Sequence, residues 1–198
     1  MAIARMLLSV VLAIDLSLIC LAPALAQAPP PGKADAVDAL AAWRRLQVSR
    51  AAVRDQLELC DDDGARFQQV GRELRPDGDA GPGEWKDWAA LVRDTGHELE
   101  SCLRAYTKQI GLLRADHDAL AAMLPAVQQA KPMSLGPKQL AEVTRAVEES
   151  QREIAVADEH VGALADQADK AALDALRLLR QKGIAKLEPP LPTFKKLL

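Results

Sequence analysis

The chain has 198 residues, enough for one domain, and is 49% hydrophobic but only 3% aromatic. A core with so few rings has to be built from Leu, Val and Ala, which suits helix packed on helix. The net charge of −3 comes from 25 basic and 28 acidic residues interleaved along the chain. That balance excludes a basic field for nucleic acid or an anionic membrane surface, and it is not extreme enough to predict wholesale disorder.

The N-terminus reads as a secretory signal. Arg5 supplies the positive region, Met6 to Leu21 is mostly apolar, and Ala24-Leu25-Ala26 is an A-x-A cleavage site before Gln27. Asp15 weakens the apolar run. The alternative is an uncleaved segment anchored in the inner membrane, because the stretch is about long enough to span. A lipoprotein reading fails on Ile19, since the residue before an acylated cysteine is normally small. The expected location is therefore a bacterial periplasm. Gln27 to Lys33, with three prolines, reads as a spacer.

Export changes the meaning of the cysteines. Cys20 leaves with residues 1–26, and Cys60 and Cys102 remain. An even pair in an oxidising compartment predicts a Cys60–Cys102 disulfide.

Three long helical patterns follow, over about residues 34–74, 84–124 and 137–182. In the first, Trp43, Leu46, Val53, Leu57, Cys60, Phe67 and Leu74 form one heptad-like stripe. Arg50, Gly64 and Gly71 are defects on it. Asp61-Asp62-Asp63-Gly64 is a poor helix-forming run and a place where the helix is expected to break or kink. It is not a calcium loop. With Gly64 at the sixth position, Leu59 and Val70 would fall where oxygen ligands are needed. Arg75 to Gly83, with two prolines and three glycines, is a loop.

The second pattern carries Trp85, Trp88, Val92, Leu99, Cys102, Tyr106, Leu113, Leu120 and Val127 at spacings of three, four and seven. Gly96 and Gly111 weaken it, Gly83 or a neighbour caps it poorly, and Pro125 is expected to end or kink it near Ala121. Lys131 to Pro137 is a second turn, and Pro137 suits the first position of a helix. The third pattern is the most regular: Leu140, Val143, Val147, Ile154, Ala157, Val161, Leu164, Ala168, Ala171 and Ala175, interrupted only by Ser150. Gly183 is a good C-terminal cap. The tail, 184–198, is rich in proline and predicts extended chain.

Three helices of similar length joined by short turns predict an all-α, up-down-up three-helix bundle over residues 34–183. The cysteines offer an independent check. If the chain folds back near Asp79, residue 60 faces residue 98, one helical turn from Cys102.

Convergent chemistry is sparse. His97-Glu98-Leu99-Glu100-Ser101 begins like a zinc-protease helix, but Ser101 stands where the second histidine belongs. His97, His117 and His160 are scattered, so no metal site, no cofactor and no catalytic residues are expected, and the protein reads as non-enzymatic. Cys102 and His97 differ by about 500° of helical rotation and do not form a nucleophile–base pair. The leading expectation is a structural, adaptor or chaperone-like module in the envelope that binds a protein partner or itself. Its candidate anchors are Trp85, Trp88, Leu191 and Phe194, because large rings bury area at low entropy cost. The alternative is a small-ligand- or cofactor-binding bundle with a cavity near Trp43, Tyr106 and His117.

Overall fold

A computed structural model describes residues 33–130 and 135–198. The signal 1–26, residues 27–32 of the spacer and most of the second turn lie outside the described residues. Lys33, the last residue assigned to the spacer, begins a helix. The fold is all-α, and three long helices pack pairwise into an up-down-up bundle: α1 (Lys33–Arg72), α2 (Pro82–Gln129) and α3 (Pro137–Gln181). At 1.5 Å per residue they are rods of roughly 60 to 70 Å. A short 3-10 turn, Phe194–Leu197, closes the tail.

The same device starts α2 and α3. Gly81 and Gly136 are extended, Pro82 and Pro137 take the first helical position, and the side chains of Glu84 and Gln139 reach back. Their Oε1 atoms each accept the N–H of the capping glycine at 3.3 Å. The cap of α2 is thus Gly81, two residues before the expected Gly83. At the other end of α3, Gly183 adopts φ +81°, and Ile184 N–H donates to Leu179 O at 2.9 Å. This is the left-handed termination that glycine permits.

Two expected interruptions do not occur. α1 runs unbroken through Asp61 to Gly64 because the run is used as packing space. Gly64 is buried, and a Cβ there would lie 2.6 Å from Leu164 Cδ1. The small residue lets α3 approach, while Asp61 and Asp62 face solvent. α2 does not end near Ala121. It passes through Pro125 to Gln129, because the proline is exposed, where a freed carbonyl can turn to water. Leu120 and Val127 on the opposite face are buried and hold the last turns. In α1, Leu74 leaves the stripe: the helix stops at Arg72, and Leu74 is exposed.

The core follows the predicted stripes. All nine stripe residues of α2 are buried. In α3, Leu140, Val147 and Ala171 are half-buried, and the other predicted residues are buried. Cys60 and Cys102 are disulfide-bonded with Cα atoms 5.5 Å apart, joining the middles of α1 and α2. Gln56 Nε2 lies 3.1 Å from the Cys102 sulfur. Among the described residues, no helix is long and apolar enough to cross a membrane.

Candidate functional site

Three of the four expected partner anchors, Trp85, Trp88 and Phe194, are buried, and Leu191 is half-buried. Trp85 and Trp88 are buried, edge to face, with ring centroids 5.7 Å apart. Trp88 Nε1 donates to Val70 O at 2.8 Å, and Lys182 Nζ sits 4.8 Å over the Trp85 ring. Phe194 is buried at 0% exposure, 5.6 Å from Phe67, and Leu191 is half-buried against Gly96. The reason is composition. Alanine-rich helices leave space where their ends meet, and the chain's few large side chains fill it. The tail is strapped down by backbone contacts: the Asp169 carboxylate accepts the N–H groups of Phe194 (2.7 Å) and Lys195 (3.1 Å), and Arg93 donates to Glu188 O (3.1 Å). The four expected anchors take part in the bundle's own packing.

The three histidines stand at separate levels. His97 Nδ1 lies 3.0 Å from Glu100, His117 Nδ1 lies 2.9 Å from Ser150, and His160 Nε2 lies 2.8 Å from Asp61. Among the described residues, no group of three or more His, Cys, Asp or Glu is placed to hold a metal ion.

What the bundle does assemble is an apolar cleft of about 260 Å³ between α1 and α3. Heptad spacing brings Val53 and Leu57 from α1 to its walls, facing Val156 and Ala157 from α3. Tyr106, from α2, closes the floor. Its side chain is buried at 0% exposure, and its hydroxyl has no hydrogen-bond partner. Burial, followed by the nearby Asp61 and Asp158 carboxylates, pushes the phenol above its ordinary value, so it stays protonated and able to donate. A buried hydroxyl left unpaired costs about 1–3 kcal/mol. The sequence reading placed a possible cavity near Trp43, Tyr106 and His117. Only Tyr106 lines this one, and His117 is engaged with Ser150 in α3.

The rim is cationic and partly neutralised. Glu153 takes a bidentate pair from Arg50, with Nε at 2.7 Å and Nη2 at 2.8 Å, and a further bond from Arg54 at 2.6 Å. Arg50 also reaches Glu149 at 3.0 Å. The Arg50 hydrogen bonds hold the Glu153 carboxyl below its usual range, and Glu153 in turn raises Arg50. Arg152 is exposed and donates only to the backbone of Glu148, at 3.3 Å. Three arginines therefore line the cleft against one glutamate, and Arg152 has no carboxylate partner among the described residues.

Arg54, Arg152 and Val156 were not singled out from the sequence as site residues. A signal was available. Arg50 and Arg54 stand four apart on α1, Glu149 and Glu153 stand four apart on α3, and Arg50 interrupts its own stripe. Two complementary pairs at helical spacing, one of them on a core seam, mark where two helices share an edge. Comparisons with protein-family models, curated proteins and solved structures find no match.

Proposed function

We propose that this is an exported, non-enzymatic helical bundle that acts by binding a small molecule in the cleft between α1 and α3. One observation carries the reading: Tyr106 lines an apolar recess, and its buried hydroxyl has no partner among the described residues. A few polar groups converging on an apolar recess are the usual make-up of a ligand site. A ligand acceptor would recover the hydrogen bond the fold leaves unmade. The disulfide ties α2, which carries Tyr106, to α1, which carries Val53 and Leu57. Reading the chain as a protein-docking adaptor is less well supported, because all four of its candidate anchors serve the bundle's own packing.

Export remains part of the proposal. It rests on the A-x-A site after the apolar run and on a cysteine pair suited to an oxidising compartment. The mature chain is expected to begin at Gln27.

Native mass spectrometry of protein isolated gently from its envelope tests both statements. The expected result is a mass beginning at Gln27 plus a non-covalent adduct of a few hundred daltons. The adduct should be missing from Val156→Trp, which fills the cleft from its exposed rim and leaves the core untouched. Wild-type protein carrying only its own mass would contradict the binding reading. A mass that includes residues 1–26 would contradict cleavage.

A further inference from the structure

The chemistry of the cleft narrows the class of ligand, and this inference rests on the proposed binding role. The walls, Val53, Leu57, Val156 and Ala157, select an apolar body. Among the described residues that line the cleft, Tyr106 alone carries a buried polar atom without a partner, its hydroxyl, which can donate. The rim carries Arg54 and Arg152, both exposed; Arg54 is paired with Glu153, and Arg152 has no carboxylate partner among the described residues. Arg50 is already saturated by Glu149 and Glu153, so the free positive charge lies outward, at the mouth. His160, also on the rim, is bound to Asp61 and adds no free cation.

We infer that the ligand is a compact amphipathic anion: an apolar body, a carbonyl- or ether-type acceptor that meets Tyr106 at depth, and an acidic group at the mouth facing Arg54 and Arg152. A cation is disfavoured by the same rim. A neutral hydrocarbon would leave the hydroxyl unpaired. The hydroxyl is closed to water in this arrangement, so the ligand reaches it by parting the side chains above. The Arg152 side chain, exposed and without a carboxylate partner among the described residues, is the one free to move, whereas Arg54 is held by Glu153.

Three probes of nearly one shape separate these features. 4-Benzoylbenzoate has the ring body, the ketone and the carboxylate. 4-Benzoylbenzamide lacks the charge, and 4-benzylbenzoate replaces the ketone with a methylene. By titration calorimetry at low salt, 4-benzoylbenzoate should bind wild type at least fivefold more tightly than either analogue. The Arg54→Gln/Arg152→Gln variant should lose that preference over the amide while keeping its melting temperature. Tyr106→Phe should lose the preference for the ketone over the methylene and keep the preference for the acid. Equal affinity for acid and amide would overturn the anionic class. Equal affinity for ketone and methylene in wild type would show that Tyr106 meets no ligand acceptor. If none of the three binds, the inferred class is wrong. An adduct lost in Val156→Trp would then still support the cleft as a site, so the two readings fail separately.

Discussion

Glu153 accepts hydrogen bonds from Arg50 and Arg54, and its pKa is drawn below the ordinary 4.5 chiefly by Arg50. A carboxyl whose folded pKa lies below its unfolded one stabilises the fold above the unfolded value. That contribution is lost as pH falls through the folded value. Wild-type protein should therefore lose melting temperature below about pH 4.5, and Glu153→Gln should flatten that acid limb. At pH 7 the substitution should cost about 1–3 kcal/mol, because a guanidinium that is nearly buried loses its bidentate partner. Parallel thermal melts of the two proteins from pH 3 to 7, in steps of about half a unit, check this. Ser150 shows the same logic from the neutral side. It breaks the apolar rhythm of α3, and in the fold it is fully buried against His117, donating to Val147 O at 2.9 Å. Glu153 was not singled out in the sequence, whereas Arg50 and Ser150 were visible in it as defects of a stripe. Which group each would meet was not, because that depends on the register between helices, which periodicity on one helix does not contain.

Each helix was legible through its own apolar spacing, and its ends were legible to within about two residues except at the C-terminus of α2, which runs past the expected 124 to Gln129. The failures share a cause. Asp61 to Gly64 and Pro125 are poor helix formers by local preference, and packing on the opposite face overrides them. The disulfide was predicted from an even pair of cysteines in a chain read as exported, with the hairpin geometry as a check, and it closes a separation of 42 residues. In the chain-entropy model a loop of that length contributes about 4 kcal/mol. Cys60→Ser/Cys102→Ser should unfold earlier by that order, and reductant should lower the melting temperature of wild type but not of the double variant. A wild-type melt indifferent to reductant would contradict the bond. Between residues 184 and 193 the tail forms neither helix nor strand, and where it packs was not legible in the sequence. Proline content reports backbone shape and carries no information on what the chain lies against. Gly96, seen in the sequence only as a weak helix residue, is the gap that receives Leu191. Phe194→Ala should cost about 3–5 kcal/mol as a buried aromatic truncation. An unchanged denaturant midpoint would mean that the tail is not packed.

At the scale of the whole molecule, a stapled bundle of long helices presents an apolar recess lined by Tyr106, whose buried hydroxyl has no partner among the described residues. Tyr106 was placed correctly on the core stripe. Its role as a floor was out of reach, since the walls come from two helices about 100 residues apart in sequence, Val53 and Val156. The chain has a single tyrosine, which makes the site directly observable. Protein labelled with 3-fluorotyrosine should give one fluorine resonance from Tyr106. That resonance should show almost no shift when water is exchanged for deuterium oxide, because the side chain is closed to solvent, and it should move when 4-benzoylbenzoate is added. A resonance with the solvent isotope shift of an exposed tyrosine, or one that the probe leaves in place while still binding, would contradict the assignment of this cleft as the binding site.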